Sequence, residues 1–156
     1  MLTLPMKIAC YAVVAALVLI QFFRPEKNLS AATPGPQDLI VMHQPPAEVR
    51  DVLQRACYDC HSDHTRYPWY AEIQPVGWWL ANHVTEGKEH LNFSTFGGYS
   101  LKRQEHKLDE VIEMVREKEM PLASYKLTHA DARLTDAEIQ TLTAWAEQVR
   151  DQIVLP

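Results

Sequence analysis

Two thiols and an imidazole fall within five residues of this chain, Cys57-Tyr58-Asp59-Cys60-His61. Three chemistries use a Cys-x-x-Cys pair: zinc binding, dithiol redox exchange and covalent attachment of a c-type haem through Cys-x-x-Cys-His. A structural zinc site usually needs four protein ligands, commonly two such pairs. Here there is no second pair, and no two histidines stand at zinc-finger spacing. A thioredoxin-like dithiol belongs in a βαβ setting, and no segment alternates like a strand. A catalytic Cys/His pair has the right residue types, but nothing else in the chain marks a hydrolase. Haem attachment accounts for each part of the motif. Thiols two residues apart can reach the two vinyl groups of one porphyrin edge, and the next residue aims its imidazole at the iron.

The other face of such an iron often takes a methionine sulfur, which raises the reduction potential. Met120, followed by Pro121, stands at the end of a charged stretch, "REKEMP", and is the candidate distal ligand. Met114, within that predicted helix, reads as core filling. His83 is the rival for the distal position, although a buried structural role suits it as well. His64, His90, His106 and His129 read as surface or hydrogen-bonding residues. Tyr67, Trp69, Tyr70, Trp78 and Trp79 are dense enough to be core. Against a porphyrin, core and pocket become one surface, and Tyr67, Trp69 and Trp78 are taken as pocket residues.

Helices position these groups. Val49, Val52, Leu53 and Ala56 recur on one helical face, which delivers Cys57 at its end. "QPVGWWLANHVTEG" reads as a second helix that starts at Pro75 and ends at Gly87. A third begins at an N-cap, Ser100, carries Leu108, Val111, Ile112 and Val115, and stops at Pro121. Thr135 and Glu138 form a capping box for the last helix, whose face is Ile139, Leu142, Ala146, Val149 and Ile153. "HSDHTRYPWYAEI" and "LNFSTFGGY" read as aromatic-rich loops. The expected fold is all-α: a small cytochrome c-like domain behind one N-terminal transmembrane helix.

Residues 8–23, "IACYAVVAALVLIQFF", carry no charge and contain the third cysteine, Cys10. Sixteen helical residues span about 24 Å, and apolar Leu2–Met6 with a snorkelling Lys7 extends the run toward the ~30 Å of a bilayer core. No small residues follow at a cleavage position, and "SAA" at 30–32 comes after charges, so an uncleaved anchor is read over a signal peptide. The expected organisation is an anchor over 1–24, a Pro-rich linker over 25–46 and a haem-binding domain over 47–156.

The chain has 156 residues and a net charge of −5. Beyond residue 30 it holds 12 basic against 19 acidic residues. That balance argues against a nucleic-acid partner, which needs clustered Lys and Arg. Three cysteines exclude a disulfide framework, and there is no internal repeat or glycine-rich phosphate loop.

"ACYDCHSDHTRYPWYAEIQPVGWWLANHVTEGKEHLNFSTF", "EMPLASYKLTHADARLT" and "EIQTLTAWA" together resemble the bacterial haem-binding domain family of the cytochrome c superfamily, from about Ala47 to Val149. The resemblance implies a small helical monohaem domain on the periplasmic side, one haem c per chain. Cys57 and Cys60 would be its attachment residues, His61 its proximal ligand and Met120 its distal one. The function expected is that of a periplasmic c-type cytochrome anchored in the inner membrane. It would pass single electrons to redox partner proteins rather than catalyse a reaction. The alternative is a haem-based ligand-binding, sensor or peroxidase-like protein with a displaceable sixth ligand.

Overall fold

A computed structural model of the chain describes residues 3–30 and 34–154. It is all-helical, and among the described residues the only extended pairing is an isolated antiparallel bridge between Leu29 and His64. The α-helices among the described residues are α1 (Leu4–Leu19), α2 (Leu39–His43), α3 (Ala47–Ala56), α4 (Tyr58–His61), α5 (Val76–His90), α6 (Leu101–Arg116), α7 (Ala123–Thr128) and α8 (Asp136–Asp151). Short 3-10 turns cover Ile20–Phe22, Trp69–Glu72, Phe93–Gly98 and Ala130–Ala132.

The core lies where α3, α6 and α8 converge. Val49, Val52 and Leu53 of α3, Leu108, Ile112 and Val115 of α6, and Leu142, Trp145, Ala146 and Val149 of α8 are buried there with Phe93 and Phe96. Each fully buried Leu or Ile contributes about 1.5–3 kcal/mol relative to exposure, so these stripes decide the packing. End signals set the boundaries. The Ser100 hydroxyl accepts from the Arg103 N–H at the start of α6, and Thr135 with Glu138 closes a capping box on α8. Arg55, at the end of α3, ties that helix to α8. Its guanidinium donates to the Glu138 carboxylate and the Asp131 carbonyl, and to Asp51 at 2.9 Å.

Two sequence expectations are corrected. α5 does not end at Gly87 but continues to His90; glycine is there for close packing, as the site shows. The stretch read as a linker, residues 25–46, is not a free spacer where it is described. Asp38 and Leu39 are buried, and Leu39 belongs to the core. Asp38 caps α2 by accepting from the Ile40 N–H, and also accepts from the Tyr58 hydroxyl at 2.9 Å. Asn28 bonds Ser62, Thr65 and Tyr67, and the Ser30 N–H donates to the Asp63 carbonyl. Ala31 and Ala32, the pair weighed as a cleavage position, lie outside the described residues.

α1 and the following turn form one apolar helical stretch, Leu4–Phe22, with no buried residue. By length, about 28 Å at 1.5 Å per residue, and by composition, it can span a membrane.

Candidate functional site

α4 is a single turn, and its Cys57 cap, Cys60 and His61 face one cavity of about 750 Å³. That volume lies within the ~300–1,000 Å³ range of small-molecule and cofactor sites. α5 forms one wall with His83, Gly87 and His90; α6 and the turn after it form another with Val111, Met114 and Met120. A second lobe of about 500 Å³ shares Cys60, His83, Leu122 and Tyr125 with the first and is covered by Tyr70, Trp79 and Leu127.

Gly87 makes the α4–α5 contact possible. A Cβ there would stand 2.8 Å from the Cys60 carbonyl oxygen and 3.2 Å from Cys60 Cβ. α5 can therefore approach the motif closely enough to put His83 and His90 on the same cavity.

The imidazoles are held in defined tautomers. His61 Nδ1 lies 2.9 Å from the Leu91 carbonyl; a carbonyl only accepts, so Nδ1 carries the proton and Nε2 keeps its lone pair. Such a bond from the outer ring nitrogen is the usual support of a metal-bound histidine. Burial lowers the His61 pKa and keeps the ring neutral. His83 is held likewise, with Nδ1 donating to the Trp79 carbonyl at 2.8 Å, so it too offers Nε2.

The thiols are the opposite of thiolates. Burial first, then the neighbouring Cys60, pushes Cys57 up to about 12; burial, then Asp59, pushes Cys60 up to about 11. Dithiol exchange wants a depressed thiol pKa. Moreover, among the described residues no three His, Cys, Asp or Glu side chains converge to hold a metal ion.

Met120 reaches the cavity through a turn with no glycine signal. α6 ends at Arg116, and Lys118 adopts a left-handed conformation, φ 61°. The chain then doubles back, so that both the Glu119 and Met120 N–H groups donate to the Met114 carbonyl, at 3.0 and 3.1 Å. Lys118 is fixed by its ammonium, 2.7 Å from Asp136. This turn brings Met114 and Met120 to one wall. Met114 is therefore half-buried on the cavity rather than core filling as the sequence suggests.

Three aromatics read from the sequence as pocket residues line neither lobe. The Tyr67 hydroxyl accepts from the Asn28 N–H, Trp69 is exposed, and the Trp78 indole donates to the Phe23 carbonyl. The aromatics on the cavity are Phe93 and Tyr125, with Tyr70 and Trp79 on the outer lobe. Helical spacing could have separated them. Residues 79, 83, 87 and 90 share one α5 face, while 78 points a full 100° away. Sequence reading also missed the buried Asp59 inside the motif. Its carboxylate accepts from Arg66 Nε and Nη2, both at 3.0 Å, and from the Tyr125 hydroxyl at 2.7 Å. It thereby holds α7, with a cavity residue, against α4.

Two protonated thiols, an imidazole with a free Nε2 and a thioether on one apolar-walled cavity are a donor set that fits a haem. A family model described as a haem-binding domain matches residues 15–148. No curated protein and no solved structure matches the chain. The match runs from within α1 through nearly all of α8, so the chain belongs to the haem-binding domain family.

Proposed function

We propose that this protein is a membrane-anchored, periplasm-facing monohaem c-type cytochrome, held in the inner membrane by α1, that carries single electrons. Haem c would be joined through Cys57 and Cys60, with His61 Nε2 as proximal and the Met120 sulfur as distal ligand. The observation that carries the reading is the convergence of these four side chains on one cavity. A haem bound there supplies a reversible one-electron couple; the chain orients it, excludes water and sets its potential through ligands and burial. Leu91 and Trp79 fix the tautomers of the two histidines, and Phe93, whose ring centroid is 5.8 Å from that of His61, closes the inner side.

Glu86, Glu110, Glu113, Glu117 and Glu119 all line this cavity. Such a rim favours a redox partner with a basic docking face, and its main effect is on encounter rate.

The ligand-binding reading has one observation in its favour. His83 offers a second free Nε2 on the cavity, so the sixth position has two candidate occupants. An optical redox titration with carbon monoxide addition separates the readings. Electron transfer predicts one reversible one-electron wave and slow carbon monoxide binding to the reduced protein. Fast binding instead puts the sensor or peroxidase-like function ahead.

A further inference from the structure

We infer that the domain lies directly on the membrane surface, through an aromatic seat formed by the turn Trp69–Glu72 and the start of α5. The seat takes the lipid headgroup–glycerol region of a phospholipid bilayer. This inference rests on the reading of α1 as a membrane anchor.

Gln21 and Gln74 are bonded reciprocally: the Gln21 side-chain amide donates to the Gln74 carbonyl at 3.1 Å, and the Gln74 N–H donates to Gln21 Oε1 at 2.9 Å. Two residues beyond Gln21, the Phe23 carbonyl accepts from Trp78 Nε1 at 2.6 Å. Arg24, at 2.7 Å, and Lys27 both pair with Glu72. Wherever Gln21 leaves the bilayer, Gln74, Trp78 and Glu72 must therefore lie at the same level.

That level carries large apolar groups without cover. Phe22 is 79% exposed, Phe23 68%, Trp69 77%, Ile73 46% and Trp78 39%. Single exposed apolar residues are ordinary on soluble surfaces. Five in segments bonded to the mouth of an apolar helix are not scattered. Tryptophan and phenylalanine rings beside cationic side chains match the belt where a protein crosses the interface, since an indole places its apolar body in lipid and its N–H near polar groups. Trp69 and Trp78, idle at the cavity, thereby gain an environment. α5 starts in this seat and carries His83, Gly87 and His90, so the seat fixes how the cavity is turned relative to the bilayer.

The test uses the full-length haem-loaded protein in vesicles of phosphatidylcholine and phosphatidylglycerol doped with a phospholipid bearing a diazirine near its glycerol. After illumination, labelled peptides are mapped by mass spectrometry. Label in residues 69–78 at a yield similar to residues 20–23, and several-fold above α6 and α8, is the expected result. Label in Leu4–Phe23 with none above background in residues 69–78 overturns the seat while leaving the anchor intact, and assigns that surface to a protein partner or to water. No label in Leu4–Phe22 overturns the anchor reading and the seat with it.

Discussion

Replacing Gly87 by alanine tests whether close packing of α5 on the Cys-x-x-Cys-His turn shapes the site. α5 is helical through this position and Gly87 has no positive φ, so the backbone itself does not demand glycine. Helix propensity alone would favour alanine by about 1 kcal/mol. The added Cβ would lie 2.8 Å from the Cys60 carbonyl oxygen, so reaching ordinary van der Waals separation needs an opening of about 0.6 Å. The obstacle is backbone of the motif, not the far end of a flexible side chain. Overpacking of this kind costs about 1–3 kcal/mol, which leaves a net loss of about 1 kcal/mol. At Gly35 a Cβ would meet nothing within 4 Å, and alanine there should gain about 0.4–1 kcal/mol by restricting the unfolded chain. Urea unfolding of the two haem-loaded variants, followed by circular dichroism, compares them directly. The loss at Gly87 should come with a shifted haem absorption spectrum, because Cys60 and His61 move together. A Gly87→Ala protein as stabilised as Gly35→Ala, with an unchanged spectrum, would refute the packing argument.

Met120→Ala should retain covalent haem but lose the far-red sulfur-to-iron charge-transfer band, lower the potential and open the iron to carbon monoxide, since a neutral sulfur favours ferrous iron. Met114→Ala and His83→Ala, both at the cavity wall, should leave that band in place; its loss in Met114→Ala alone reassigns the ligand to Met114, and an iron spectrum that changes in His83→Ala but not in Met120→Ala means bis-His ligation. Glu138 is held below the ordinary carboxylate range first by the Thr135 backbone N–H, with help from the Thr135 hydroxyl and Arg55. Its contribution is thus present above the unfolded glutamate pKa of about 4.3 and is lost as pH falls through the lower folded value. Glu138→Ala should cost about 1 kcal/mol at neutral pH and much less in acid, as read from urea midpoints against pH; a pH-independent cost contradicts the capping role. Protease added to intact spheroplasts should digest the domain that follows α1, whereas digestion only after lysis would reverse the proposed topology.

The large helices were legible because their apolar stripes and caps are local. Leu108, Ile112 and Val115, or the Thr135–Glu138 box, need no knowledge of the fold. The same holds for Cys57, Cys60 and His61, which one helical turn brings together. What escaped depends on contacts distant in sequence. Leu39 reads as linker until the core beside the Phe93–Gly98 turn claims it. Gly87 reads as a helix end because its packing partner, Cys60, lies 27 residues earlier. Lys118 gives no left-handed signal, so the turn that swings Met120 onto the wall beside Met114 could not be read. Tyr67, Trp69 and Trp78 line neither lobe, because residue type marks an apolar environment without saying which surface the ring covers.

Covalent haem on Cys57 and Cys60 is the claim from which the rest follows, and the intact mass of the denatured protein, purified from cells able to mature c-type cytochromes, tests it most directly. The expected mass is that of the chain plus one haem, with loss of that increment in a Cys57→Ala, Cys60→Ala double variant. A bare chain mass, with free haem released on denaturation, would contradict it.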